Sequence, residues 1–156
     1  MNLPKSFQSH SILDTQKLAQ TLSSFAKPGQ VFALYGSLGA GKTTFTNALG
    51  QTMGIPKPLK SPTFTLVRQY PLNNQQFFYH VDLYRLTTPK ELDALGLFEA
   101  LNQNQHLFAI EWPELISLDL AKLKQVMAGN IFIDTRNQYN PNKLRQHGFE
   151  YIGIGR

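Results

Sequence analysis

The chain has 156 residues, 42% hydrophobic and 16% charged, which suits one globular domain with a single sizeable core and excludes disorder or a fibrous repeat. It contains no cysteine, so disulfides, thiolate metal sites and a cysteine nucleophile are excluded. The net charge of +5 permits a nucleic-acid partner, but the basic residues are scattered and form no arginine-rich run, so a generally basic surface is the plainer reading.

The first eight residues lack a basic start leading into a long apolar run, and no apolar stretch approaches the ~20 residues of a membrane helix. The expectation is a cytoplasmic protein without membrane contact, folded as one domain over residues 1–156. In chain order, Leu18, Ala19, Leu22 and Phe25 have amphipathic helix spacing within residues 15–26, with Asp14 or Thr15 as the cap and Pro28-Gly29 as the stop. The continuous apolar run Val31–Tyr35 predicts a strand buried on both faces, as in parallel sheets. A glycine-rich loop follows, then a helix over residues 42–53 with Phe45, Ala48, Leu49 and Met53 on one face. Gly50 inside that helix costs about 1 kcal/mol against alanine, which implies close packing there.

Residues 63–70 and 77–83 predict an antiparallel hairpin turning at Asn73-Asn74, with Phe77, Tyr79, Val81 and Leu83 on one face. A short helix is predicted from Pro89, with Leu92, Leu95 and Phe98 inward. Residues 107–110 predict a buried strand running into Glu111-Trp112-Pro113, and Trp112 is read as a core residue. Residues 119–127 predict a helix, and 131–133 and 149–154 two more strands. This alternation places the chain in the α/β class.

The chemistry concentrates in Gly36-Ser37-Leu38-Gly39-Ala40-Gly41-Lys42-Thr43, which fits G-x-x-x-x-G-K-[ST] between a buried strand and a helix. In such a loop the backbone N–H groups of Gly39, Ala40, Gly41, Lys42, Thr43 and Thr44 converge on a β-phosphate, and the helix adds its positive end. Lys42 then places an ammonium between the β- and γ-phosphates of ATP, and Thr43 offers a hydroxyl to Mg²⁺, a hard cation that prefers oxygen. Magnesium also needs an acid at the end of a neighbouring strand. Glu111, after four apolar residues, is the first candidate. Asp82 is the second: it can bind magnesium or orient the attacking water, and its structural alternatives are pairing with Arg85 or capping the next turn. Thr63, after a proline-rich loop, is a candidate γ-phosphate switch through its hydroxyl or backbone, or else simply starts a strand. His80 and the other three histidines have no ligand spacing and are read as structural or exposed.

Four blocks in order give the chain a family resemblance. They are the phosphate loop extended to Phe45, then Lys60-Ser61-Pro62-Thr63-Phe64-Thr65-Leu66-Val67, then His80-Val81-Asp82-Leu83-Tyr84-Arg85-Leu86, and finally Ile110-Glu111-Trp112-Pro113-Glu114. In these the chain resembles the bacterial tRNA threonylcarbamoyladenosine biosynthesis ATPase family, TsaE. The resemblance implies a P-loop NTPase-like three-layer sandwich, with a parallel core sheet flanked by antiparallel strands. It implies a Mg²⁺-dependent ATPase serving the modification of a tRNA adenosine beside the anticodon. The partners it implies are a carbamoyltransferase and its inactive paralogue, with tRNA reached through them or directly. By position, Lys42 becomes the phosphate lysine, Thr43 the magnesium hydroxyl, Glu111 the Walker-B-like acid and Asp82 a residue important for hydrolysis.

Ser37 departs from the aspartate usual in the family, removing a charge but no cradle donor. Residues 116–156 match loosely, so the adenine pocket falls to two guesses, residues 137–139 and 12–15. No arginine or glutamine is marked by its context as a transition-state finger or water-positioner, so hydrolysis is expected to be slow alone and faster with partners. Two other classes compete. A small-molecule kinase fits the loop spacing, although residues 87–106 carry no arginine for a lid, and a non-catalytic nucleotide-gated assembly module would use the same residues. The absence of an Asn-Lys-x-Asp motif argues against guanine specificity.

Overall fold

A computed structural model describes residues 6–86, 91, 94–112, 131–134 and 139–154. Its elements are β1 (Ser6–Phe7), α1 (Ile12–Ser23), β2 (Val31–Tyr35), α2 (Lys42–Thr52), β3 (Val67–Pro71) and β4 (Phe77–Asp82), followed by α3 (Leu97–Asn102), β5 (Leu107–Glu111), β6 (Ile131–Asp134), α4 (Pro141–Gln146) and β7 (Glu150–Ile154). The strands form one sheet in the order β1-β7-β6-β2-β5-β4-β3. Every pairing is parallel except β3 with β4.

The apolar runs explain the centre of this sheet. β2, β5 and β6 are buried along their whole length, and their residues alternate between two cores. Phe32 and Leu34 point to the side where Leu18, Ala19 and Leu22 of α1 and Phe45, Ala48 and Leu49 of α2 pack. Val31, Ala33 and Tyr35 point to the other side, against Leu97, Ala100 and Leu101 of α3 and Leu144 of α4. Helices therefore cover both faces, and β2 feeds the glycine-rich loop from the middle of the sheet.

Several expectations need correction. α1 begins at Ile12 instead of near Thr15, because Ser11 is the cap: its Oγ accepts from the Asp14 N–H at 3.2 Å and donates to Asp14 Oδ2 at 2.9 Å. That second bond and the His10 N–H hold the Asp14 carboxyl below its usual pKa. β3 begins at Val67 instead of Thr63. The Thr65 and Leu66 N–H groups both turn back to the Pro62 carbonyl, at 2.9 and 2.6 Å, and Leu66 adopts φ +62°. The hairpin itself is as expected, running from Val67↔Val81 to Pro71↔Phe77, with Phe77, Tyr79, Val81 and Leu83 in one core. Among the described residues the flanking antiparallel strands reduce to β3 alone, an edge position where Pro71 is tolerated.

Gly50 is tightly packed, since a Cβ there would lie 2.7 Å from Leu59 Cδ1. Leu95 packs inward, but Phe98 faces out, and Leu97, Ala100 and Leu101 supply the buried side of α3. Pro89, Leu92 and the predicted helix over residues 119–127 lie outside the described residues. The strand β1 and the helix α4, capped by Asn140 with Pro141 in its first turn, are additions that the sequence reading lacked.

Candidate functional site

The site lies where the carboxyl ends of β2, β4 and β5 meet the start of α2. The loop turns through Gly39 (φ +79°) and Gly41 (φ +88°), left-handed conformations that a side chain would strain. Gly41 is also the residue that caps α2, with no side chain between the helix N-terminus and the space in front of it. A cavity of about 340 Å³ opens there, lined by residues 38–44, Ser61, Thr63, Asp82, Tyr84, Glu111 and Trp112.

Lys42 is buried, and its ammonium is turned into its own loop, donating to the Gly36 carbonyl at 2.6 Å and the Ser37 carbonyl at 2.9 Å. Ser37 thus serves the lysine through its backbone, which any residue type supplies. The Trp112 ring covers the same ammonium with its centroid 3.6 Å from Nζ, a cation–π contact. Trp112 holds φ +59°, sits against the Tyr84 ring at 4.9 Å and is only half-buried. It edges the core but also forms a wall of the cavity, which corrects its reading as a core residue.

Glu111 and Asp82 are register partners on β5 and β4, so both acids project from the same face towards the loop. Both are buried. Glu111 Oε2 accepts from the Thr43 hydroxyl at 2.9 Å. Asp82 accepts from the Thr63 hydroxyl at 2.6 Å and from the Tyr84 N–H at 3.1 Å. It therefore caps the following turn and does not pair with Arg85, whose guanidinium lies over the Phe64 ring at 4.2 Å. Thr63 precedes the strand instead of starting it, and its hydroxyl also meets that of Ser61 at 2.7 Å.

Lys42, Thr43, Thr63, Asp82 and Glu111 thus share one cavity with the loop residues Gly39 to Thr44. Of the residues guessed for adenine, 12–15 and Tyr139 do not line it. Ile12 and Leu13 are exposed on α1, Tyr139 packs edge-on against Tyr35 at 4.6 Å, and residues 137–138 lie outside the described residues.

The sequence reading missed His80. Its ring is fully buried, with Nε2 2.6 Å from Glu111 Oε1. A usable signal existed: residues two apart in a strand share a face, so His80 had to project beside Asp82.

The donor set suits magnesium. Among the described residues no group of three or more histidine or acidic side chains could cage an ion. The Thr43 hydroxyl beside the Glu111 carboxylate would leave most positions around such an ion to water and other oxygens, which is the kind of site Mg²⁺ prefers.

A family model described as threonylcarbamoyl adenosine biosynthesis protein TsaE matches residues 9–143. The chain belongs to this family. Several relatives carry the name tRNA threonylcarbamoyladenosine biosynthesis protein TsaE. The one from Bacillus subtilis is 41% identical over 108 residues, covering 69% of this chain and 65% of the relative. The one from Aquifex aeolicus is 36% identical over 116 residues, covering 73% and 80%. A third, from Rickettsia conorii, is 44% identical over 66% of this chain and 58% of its own length. The chain thus spans under two thirds of the Bacillus and Rickettsia relatives it matches. A crystal structure of YdiB from Bacillus subtilis superposes with a TM-score of 0.57 at 27% identity, covering 90% of this chain and 93% of that one. The family's α/β fold, with a mostly parallel seven-stranded sheet, is the one described above. No helix among the described residues is long and apolar enough to cross a membrane.

Proposed function

We propose that this chain is a cytoplasmic, single-domain P-loop ATPase that uses ATP and Mg²⁺ to support threonylcarbamoyladenosine modification of tRNA. The observation that carries the ATPase reading is the convergence of Lys42, Thr43, Asp82 and Glu111 on one cavity at the N-terminus of α2. Membership of the TsaE family supports the pathway.

In this reading Lys42 leaves the Gly36 and Ser37 carbonyls for the β- and γ-phosphates, and the N–H groups from Gly39 to Thr44 hold the β-phosphate. Bound magnesium supplies charge neutralisation on the phosphate oxygens. Thr43 and Glu111, already in contact, orient towards that ion. Asp82 positions a water for attack on the γ-phosphate, while Thr63, its partner at 2.6 Å, reports the nucleotide state to the segment before β3. Phosphoryl transfer of this kind depends on positioning and electrostatics more than on covalent chemistry.

Among the described residues no arginine lines the cavity, and in this reading the rate is slow until a partner contributes. The partners are the carbamoyltransferase and its inactive paralogue, with tRNA engaged through them or directly. The test is ATP hydrolysis by the wild type, Lys42→Ala and Glu111→Ala, each with and without the two partners. Hydrolysis that the partners accelerate and both substitutions remove is expected. Fast hydrolysis by the isolated chain, unmoved by partners, would overturn the partner-dependent cycle. Partner binding gated by ATP without hydrolysis would instead leave an assembly module.

A further inference from the structure

His80 occupies the centre of β4, paired with Arg68 on β3 and Ala109 on β5, and its ring is sealed from solvent. Its neighbour on the same face of the strand is Phe78, a wholly buried apolar residue. An apolar side chain would fill this place with no ring nitrogen to satisfy, but it would deprive the buried Glu111 Oε1 of its donor. The histidine instead leaves Nδ1 buried with no partner among the described residues, which lowers stability. Its hydrogen bonding goes through Nε2 to Glu111 Oε1 at 2.6 Å. Against a carboxylate, which only accepts, Nε2 is the donor.

The consequence is geometric. Glu111 Oε2 is held by Thr43 from α2, and Oε1 is held by His80 from β4. Two donors on two separate elements set the plane of the carboxylate. With the Thr43 bond alone, the carboxylate is free to pivot about that contact. We propose that His80 is a positioning residue: through its Nε2–H it holds Glu111 in the orientation that receives magnesium. This rests on the reading of Thr43 and Glu111 as the magnesium pair, and it adds a residue that touches neither nucleotide nor metal.

The experiment uses Trp112, the single tryptophan, as its reporter, because its ring covers Lys42 and responds when phosphate displaces that contact. ATP is titrated into the full chain in the presence of a chelator, and then Mg²⁺ is titrated at fixed ATP, for wild type, His80→Phe and His80→Gln. Chelator-phase ATP binding is expected to be the same in all three. The Mg²⁺ midpoint of His80→Phe should rise about 10-fold or more, the scale on which metal affinity depends on groups that orient a ligand. His80→Gln, whose amide reaches as far as Nε2, should restore the wild-type midpoint, whereas a merely space-filling role would favour phenylalanine. If thermal unfolding shows that His80→Phe does not fold, His80→Asn takes its place, since its shorter amide cannot reach Glu111. An unchanged Mg²⁺ midpoint in the folded variant, beside a magnesium-responsive wild type, overturns the role of His80 and leaves the site intact. A wild type that binds ATP without any response to Mg²⁺ overturns the magnesium pair itself, and the role of His80 with it.

Discussion

Two buried carboxylates flank the central strand, and they behave differently. Glu111 ends β5 and lies in register with Leu34; Asp134 ends β6 and lies in register with Tyr35. Their sequences follow one pattern, Leu107-Phe108-Ala109-Ile110-Glu111 and Ile131-Phe132-Ile133-Asp134, an apolar strand finished by an acid. Glu111 projects to the face of α2 and meets Thr43 at the cavity. Asp134 takes the Tyr139 N–H at 2.9 Å and the Tyr151 hydroxyl at 3.1 Å, beneath an aromatic cluster that includes Tyr35 and Phe132. Burial, and next the Asp134 charge, raise the Tyr151 pKa far above its usual value, so this hydroxyl stays a donor. An acid at the end of a strand beside the glycine-rich loop thus does not by itself reach the cavity. The face it projects from decides whether it meets the loop helix or the packed interior.

The largest expected effects fall on the reactive side. Lys42→Ala should lower ATP hydrolysis by about 10²–10³-fold, the scale for one charge-stabilising donor, and Glu111→Gln by about 10²-fold, both read in steady-state phosphate release. Asp134→Ala should leave hydrolysis per folded molecule unchanged. It should lower stability by about 1.5–3 kcal/mol, the range for hydrogen bonds to a charged group, as measured by urea unfolding. Wild-type activity in Glu111→Gln, or lost activity without lost stability in Asp134→Ala, would break the division between the two acids.

A smaller effect tests how the reactive side is held. The Cβ of Gly50→Ala would meet Leu59 Cδ1 at 2.7 Å and Ile55 Cδ1 at 3.3 Å. Overpacking, partly offset by better helix propensity, should lower stability by about 1 kcal/mol in chemical denaturation. A stabilised variant would show that α2 is not pinned at this point.

The smallest effect contrasts the two ends of β5. His106 precedes the strand that Glu111 ends; its Nδ1 accepts from the Phe77 N–H at 3.3 Å and its Nε2 lies 2.9 Å from Gln103 Oε1. Burial lowers its pKa below the ordinary value of 6.5. The folded protein then binds this proton less readily than the unfolded chain. The contribution of His106 to stability is complete above that value and is lost as the pH falls through the folded pKa. His106→Gln should therefore show a shallower fall in melting temperature between about pH 7 and pH 5.5 than the wild type. An identical slope would place the acid sensitivity elsewhere.

Much of this was legible in the chain itself. Buried parallel strands announce themselves as short apolar runs, because positions covered on both faces are filled by apolar residues, so β2, β5 and β6 were found close to their true bounds. The phosphate loop was equally plain, because residues 36–43 close the cradle locally, through glycine conformation and the helix that follows. The hairpin face of Phe77, Tyr79 and Val81 also followed from period-two alternation.

Other features depended on contacts between residues distant in the chain. The cap of α1 at Ser11 and the turn at Leu66 are exceptions local enough to have been weighed but too weak in pattern to stand out. The bond from His80 to Glu111 spans 31 positions and that from Thr43 to Glu111 spans 68. The sequence by itself determined a glycine-rich loop of the phosphate-binding pattern in a parallel sheet and the acids that end its neighbouring strands. Only the tertiary structure decided that Glu111 would be held from both sides while Asp134 was consumed by packing, because strand order and facing are settled by how the whole sheet buries its two cores.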